Sequence, residues 1–217
     1  MLGVMLNVLQ ASGEWVTLIG TLPGIGFPNG IYSPSPAPGL VLLADSTNGV
    51  IWRIDTVTGG YTHFLEDPAF RVPPNATFDL GINGIEISAT GDKVWFTNTA
   101  AGIVGEISIT PSGAVSAAKV LARIPEVDDF ASTAGQLPLY VVGDNALWRV
   151  DANGTHLLAG GPDDVTLEGA TAVAQGRTYY DQSVYYISTN GGLPAPVNGQ
   201  VTGGKILAVN VAVVGIV

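Results

Sequence analysis

Two amides and an acid stand at matching places in this chain of 217 residues: Asn29 in FPNGIYS, Asn83 in INGIEIS and Asp128 in VDDFAS. Each opens a short alternating run that predicts a strand. Asn-Gly ordinarily marks a two-residue hairpin turn, because both residues tolerate φ > 0. Its position at the mouth of a strand therefore needs a reason. On one reading the three residues are turn caps. On the other they gather polar side chains at one end of a channel, and the glycine beside each Asn lets the backbone approach whatever lies there. Asp129, next to Asp128, adds a second acid that could act as a base.

The elements that would position these residues recur. A unit of about 40 to 55 residues repeats, which is the period of propeller blades. Its copies are GLVLLADSTNGVIWRID (39–55), DKVWFTNTAAGIVGEIS (92–108), LPLYVVGDNALWRVD (137–151) and QSVYYISTNGG…GKILAVN (182–210). Each reads as strand, small polar turn, strand. A short strand precedes each copy, starting at Asn29, Asn83, Asp128 or Gly169. A fourth strand follows the first three (GYTHFLE, AAKVLARI, THLLAGG), and VAVVGIV is available for the last. The expected fold is an all-β propeller in one domain, with blades over 24–70, 80–124, 127–163 and 168–217. Residues 1–23, GVMLNVLQ plus EWVTLIGTL, form the outer hairpin of a preceding blade.

In a propeller the first strand of each blade lines the central channel. Asn29, Asn83 and Asp128 should then converge on the axis, with Tyr32, Phe130 and Thr171 along the channel. The turn residues Asp45, Asn98 and Thr189 close the second strands. Such a mostly neutral set suits an apolar small molecule. Tyr32 and Phe130 serve inter-blade packing equally well, and Trp52, Trp95 and Trp148, at repeated positions, read as core.

Composition narrows the functions. A net charge of −10 with only eight Lys and Arg excludes phosphate-backbone binding. With no cysteine, thiolate chemistry is excluded. The apolar tail ILAVNVAVVGIV is too short to span a bilayer as a helix, and the opening residues lack a basic n-region. The sequons at Asn75 and Asn153 matter only in an exported protein. His63 and His156 fall in rim strands, too far from the axis for serine-type catalysis.

The phrases FPNGIYS, INGIEIS…KVWFTNT and VDDFAS resemble the six-bladed regucalcin, gluconolactonase and strictosidine-synthase-like propellers. That resemblance implies that Asn29, Asn83 and Asp128, or Asp129 in place of Asp128, hold calcium or a similar divalent ion; the glutamate usual in the first blade has no counterpart. A closer likeness, in LLADSTNGVIWRIDTVTG, VDDFAS, LAGGPDD and VYYISTNGGLPAPVNGQVTGGKILAVNV, is to fungal secreted-type propellers that include hetero-Diels–Alderases of tropolone-sesquiterpenoid biosynthesis. It implies a secreted small-molecule enzyme of secondary metabolism that needs no cofactor for cyclisation. Against six complete blades, about one and a half are missing here, which would expose blade edges to self-association.

Three functions follow. Pericyclic cyclisation needs two apolar partners held face to face, and ideal positioning is worth roughly 7 to 11 kcal/mol. A metal-dependent lactonase would use the ion to polarise a carbonyl and activate water. A binding scaffold would present a loop such as GLPAPVNGQVTGG (192–204), which also reads as a lid or a plain connector.

Overall fold

The computed structural model describes residues 3–10, 13–34 and 39–213, with side chains from residue 18 onward. It is an all-β propeller with four blades. Strands β1 (Gly3–Gln10) and β2 (Gly13–Thr21) form an antiparallel hairpin. The first blade holds β3 (Pro28–Tyr32), β4 (Leu40–Asp45), β5 (Val50–Asp55) and β6 (Tyr61–Glu66), paired in chain order. The second holds β7 (Ile82–Ile87), β8 (Lys93–Asn98), β9 (Ile103–Ser108) and β10 (Lys119–Arg123). The third holds β11 (Phe130–Thr133), β12 (Gln136–Gly143), β13 (Ala146–Asp151) and β14 (Gly154–Gly160).

The fourth blade has three strands, β15 (Ala170–Gln175), β16 (Val184–Thr189) and β17 (Ile206–Asn210). The fourth strand expected from VAVVGIV is not seen among the described residues: 211–213 form a turn, and 214–217 lie outside the description. Six blades, the number implied by the resemblance, give way to four plus the hairpin.

Each sheet turns an apolar face to the next. Leu42, Ile51 and Phe70 of the first blade and its exit turn pack on Ile82, Phe96 and Ile107 of the second. Trp95 and Val104 continue to Phe130, Leu139 and Val150 of the third. Tyr140 and Leu147 then meet Val173, Tyr185 and Ile187 of the fourth. On the other side, Ile19, Leu22 and Ile25 pack against Leu43, Val50, Trp52 and Ile54. The three tryptophans are structural. Trp52 and Trp95 are buried, Trp148 packs on the second interface, and their indole N–H groups donate to Asp45, Glu106 and the Gly143 carbonyl.

The Asn-Gly pairs are explained by the pairing register. In β3, Pro28 lies opposite Asp45 and Ile31 opposite Leu43, so Asn29-Gly30 form a β-bulge. Asn83-Gly84 do the same between Ile82 opposite Asn98 and Ile85 opposite Phe96. In the third blade, the Asp128 N–H donates to the Val142 carbonyl (2.9 Å) and the Val142 N–H to the Asp129 carbonyl (3.0 Å), two residues facing one. Thr171 is the extra residue in β15, between Ala170 opposite Thr189 and Ala172 opposite Ser188. The glycines are required by space, since neither lies in the left-handed region. A Cβ on Gly30 would sit 2.1 Å from the Asn83 carbonyl oxygen, and one on Gly84 would sit 2.7 Å from an Asp129 carboxylate oxygen. These bulges let successive innermost strands touch backbone to backbone.

Candidate functional site

The four innermost strands, β3, β7, β11 and β15, pack side by side in that order. Beyond the bulges they line an open cavity of ≈ 730 Å³, within the range of small-molecule sites. Every blade contributes to it. Ile31 and Tyr32 come from β3, Ile85 and Glu86 from β7, Phe130 to Thr133 from β11, and Val173 to Gln175 from β15. Asp129 lies at its inner end, and Arg177 and Gln182, from the turn after β15, lie at its lip.

Among the residues expected to form the site, Tyr32, Asp129 and Phe130 line this cavity. The Tyr32 hydroxyl donates to the Ile87 carbonyl at 3.2 Å, so its ring is held against the second blade. Asp129 is part-buried in the cavity lining. Burial is the largest influence on its carboxyl; N–H donors from Phe130 and Val173 oppose it, the charges of Asp128 and Glu86 reinforce it, and the pKa is pushed up to about 7.

Asn83 and Asp128 are brought together at the bulge end: Asn83 Nδ2 donates to Asp128 Oδ1 at 2.7 Å and to Thr99 Oγ1 at 3.0 Å. Burial raises Asp128 to about 6, against that hydrogen bond. Asn29 is hydrogen-bonded to neither of them. Its amide donates to Ser46 Oγ at 3.2 Å, and Ser46 in turn donates to the Ile82 carbonyl at 2.6 Å.

The remaining expected residues do not line the cavity, because their polar atoms serve the backbone. The Asp45 carboxylate accepts from Gly26, Phe27, Asn48 and the Trp52 indole. Burial works against its ionisation, but those donors outweigh it and hold the pKa below the usual carboxylate value. Asn98 Nδ2 donates to the Ala69 and Arg71 carbonyls, and its Oδ1 caps Ala101. Thr189 accepts from the Lys205 N–H, and Thr171 donates to the Ser188 carbonyl. The loop over 192–204 is a pinned connector. Buried Glu168 accepts from the Val197 N–H at 2.7 Å and from Thr202 Oγ1 at 3.1 Å.

Glu86 and Ser132 were not anticipated. Glu86 is the one acid in the alternating INGIEIS and projects into the cavity wall, where burial raises its pKa against hydrogen bonds from Ser132. Ser132 donates to Glu86 twice, through its N–H (3.0 Å, to Oε2) and through its hydroxyl (to Oε1).

A calcium ion takes six to eight oxygens. At the bulge end the donor set is one carboxylate and two amides, and Asn83 presents an N–H to that carboxylate at hydrogen-bonding distance. Among the described residues no three acidic or imidazole side chains cluster as a metal site. The arrangement fits a hydrogen-bonded clasp between blades better than a cation.

No protein-family model matches the chain. A protein of Phoma sp named "Putative hetero-Diels-Alderase" is 32% identical over 155 residues, covering 65% of this chain. The chain spans 42% of that protein's length. Among solved structures, a nidogen/laminin complex has a TM-score of 0.64 at 13% identity, over 94% of this chain and 66% of that one. A gluconolactonase of Xanthomonas campestris has a TM-score of 0.60 at 14% identity, over 84% and 61%. Virginiamycin B lyase of Staphylococcus aureus has 0.51 at 18%, over 76% and 50%. These structural likenesses establish the propeller fold. No helix among the described residues is long and apolar enough to cross a membrane.

Proposed function

We propose that the central cavity closes a ring by hetero-Diels–Alder cycloaddition, joining an enone or quinone-methide heterodiene to an apolar alkene. The observation that carries this reading is the cavity's make-up: one apolar side chain from each blade (Ile31, Ile85, Phe130 and Val173) stands in an otherwise polar lining beside the Asp129 carboxyl, whose pKa near 7 leaves a protonated fraction at neutral pH. In the reaction one C–C and one C–O bond form, no atom leaves, and no proton need move. The chain's tasks are therefore to hold the two partners in contact, to exclude water, and to donate one hydrogen bond to the carbonyl oxygen as it gains charge. Ile31, Ile85, Phe130 and Val173 shape the volume, and protonated Asp129 is the donor. The sequence likeness to the Phoma protein supports the same reading.

The test is turnover of a quinone methide generated in situ with a cyclic alkene, scored by rate and product stereochemistry against buffer. Wild-type protein should accelerate the reaction below pH 7 and lose rate above it, as Asp129 ionises. Asp129→Asn keeps an N–H donor and should remove that pH dependence, whereas Asp129→Ala should slow turnover about ten- to hundredfold, the value of one charge-directed hydrogen bond. Chelators should leave the rate unchanged. No acceleration over buffer for any alkene that fits the cavity would sink the reading.

A further inference from the structure

Ser132 is the last but one residue of β11 and opens the tight turn to β12. It is 7% exposed, yet it lines the central cavity. Its hydroxyl donates to Glu86 Oε1, while its own N–H fixes the other carboxylate oxygen at 3.0 Å. Glu86 is thereby clamped in one orientation with an oxygen aimed at the hydroxyl. From the other side, the Gly135 N–H donates to Ser132 Oγ at 2.8 Å. That donor exists because Ala134 and Gly135 adopt left-handed backbone (φ 53° and 68°), which turns the Gly135 amide back toward Ser132. A nucleophile, a base within reach of its proton and an N–H that fixes the hydroxyl in place form the nucleophile–base pair of covalent acyl transfer. Histidine is not needed where a carboxylate takes its place.

We propose that Ser132 and Glu86 form a metal-independent acyl-transfer dyad that hydrolyses apolar carboxylic esters or lactones small enough for the cavity. The activity is separate from cyclisation and does not depend on it. In the first half, Ser132 Oγ bonds to the acyl carbon and its proton passes to Glu86. The acyl C–O bond then breaks, and Glu86 returns the proton to the departing alkoxide. In the second half, water attacks the acyl carbon and gives a proton to Glu86, and Ser132 Oγ departs and recovers that proton. The net change is ester plus water to acid plus alcohol. The apolar walls of Ile85, Phe130 and Val173 select the acyl chain, and Arg177 at the lip tolerates a polar leaving group.

The experiment uses the purified chain with p-nitrophenyl butyrate and, separately, an alkyl fluorophosphonate probe, both with EDTA present. Expected are a burst of nitrophenolate, a single probe adduct that peptide mass spectrometry maps to Ser132, and loss of both in Ser132→Ala. Glu86→Gln keeps a hydrogen-bond acceptor for the hydroxyl but no base, and should cut turnover about a hundredfold or more. Ser132→Cys keeps a nucleophile and should be alkylated by iodoacetamide only when Glu86 is intact. Circular dichroism of each variant separates unfolding from lost chemistry. Absence of any adduct on folded wild-type protein, or hydrolysis that persists in Ser132→Ala, overturns the proposal.

Discussion

The two ends of the innermost strands differ in what their polar residues do. At the bulge end, Asn83 binds Asp128 across two blades, Asn29 binds Ser46, which in turn reaches the Ile82 carbonyl of the next blade, and Gly30 and Gly84 admit close contact. At the other end, Glu86, Asp129 and Ser132 line a cavity, Ser132 buried and the two acids part-buried. The first end joins neighbouring blades, and the second lines a cavity. Residue types that look functional in a strand mouth can be spent on holding strands together.

Substitutions can break this division of labour. The largest effect should come from Gly30→Ala, whose new methyl group meets the Asn83 carbonyl with no side chain able to yield. A loss of about 3 kcal/mol or more, seen as a melting shift of many degrees or as insoluble protein, is expected from overpacking rigid backbone. A neutral Gly30→Ala would mean that the bulge end does not assemble the blades.

A graded effect should appear with pH. Asp129 and Asp128 titrate near 7 and 6 when folded, against roughly 3.9 for an unfolded aspartate. Between those values the folded chain binds more protons than the unfolded one, so stability falls as pH rises from about 4 to 7. Denaturant midpoints should be higher at pH 5 than at pH 8, and Asp129→Asn should flatten most of the difference. A midpoint that rises over this range would show that the cavity end is solvated. The smallest effect should come from millimolar calcium, which is expected to move the melting temperature by under about one degree. A larger shift would turn the Asn83–Asp128 clasp into a cation site and restore the lactonase reading.

Much of the fold could be read in the chain because the blade repeat is carried by turns and apolar alternation, which act locally. The site was less legible. Glu86 sits between two isoleucines, a pattern that normally sends the polar residue to water. Here β7 is covered on both faces, so the same pattern sends it into a cavity. Asp45 and Asn98 drew attention as polar residues at strand ends, but a strand end surrounded by unpaired N–H and C=O groups consumes such side chains first. Ser132 gave no signal beyond the Ser-Thr-Ala-Gly turn that follows it, since its value depends on a residue 46 positions away. Tyr32, Asp129 and Phe130 line the cavity because the repeat places them on, or at the mouth of, the strand nearest the axis.

The apolar interfaces form a series, each shared by two adjoining sheets. Cohesion in such a stack is a sum over neighbours. Among the described residues, the fourth sheet shares an interface with one neighbour, whereas the second and third are gripped from both sides. Thermal fluctuation should loosen the chain from its fourth sheet inward, and the Glu86–Ser132 contact, which bridges the second and third, would be among the last to let go.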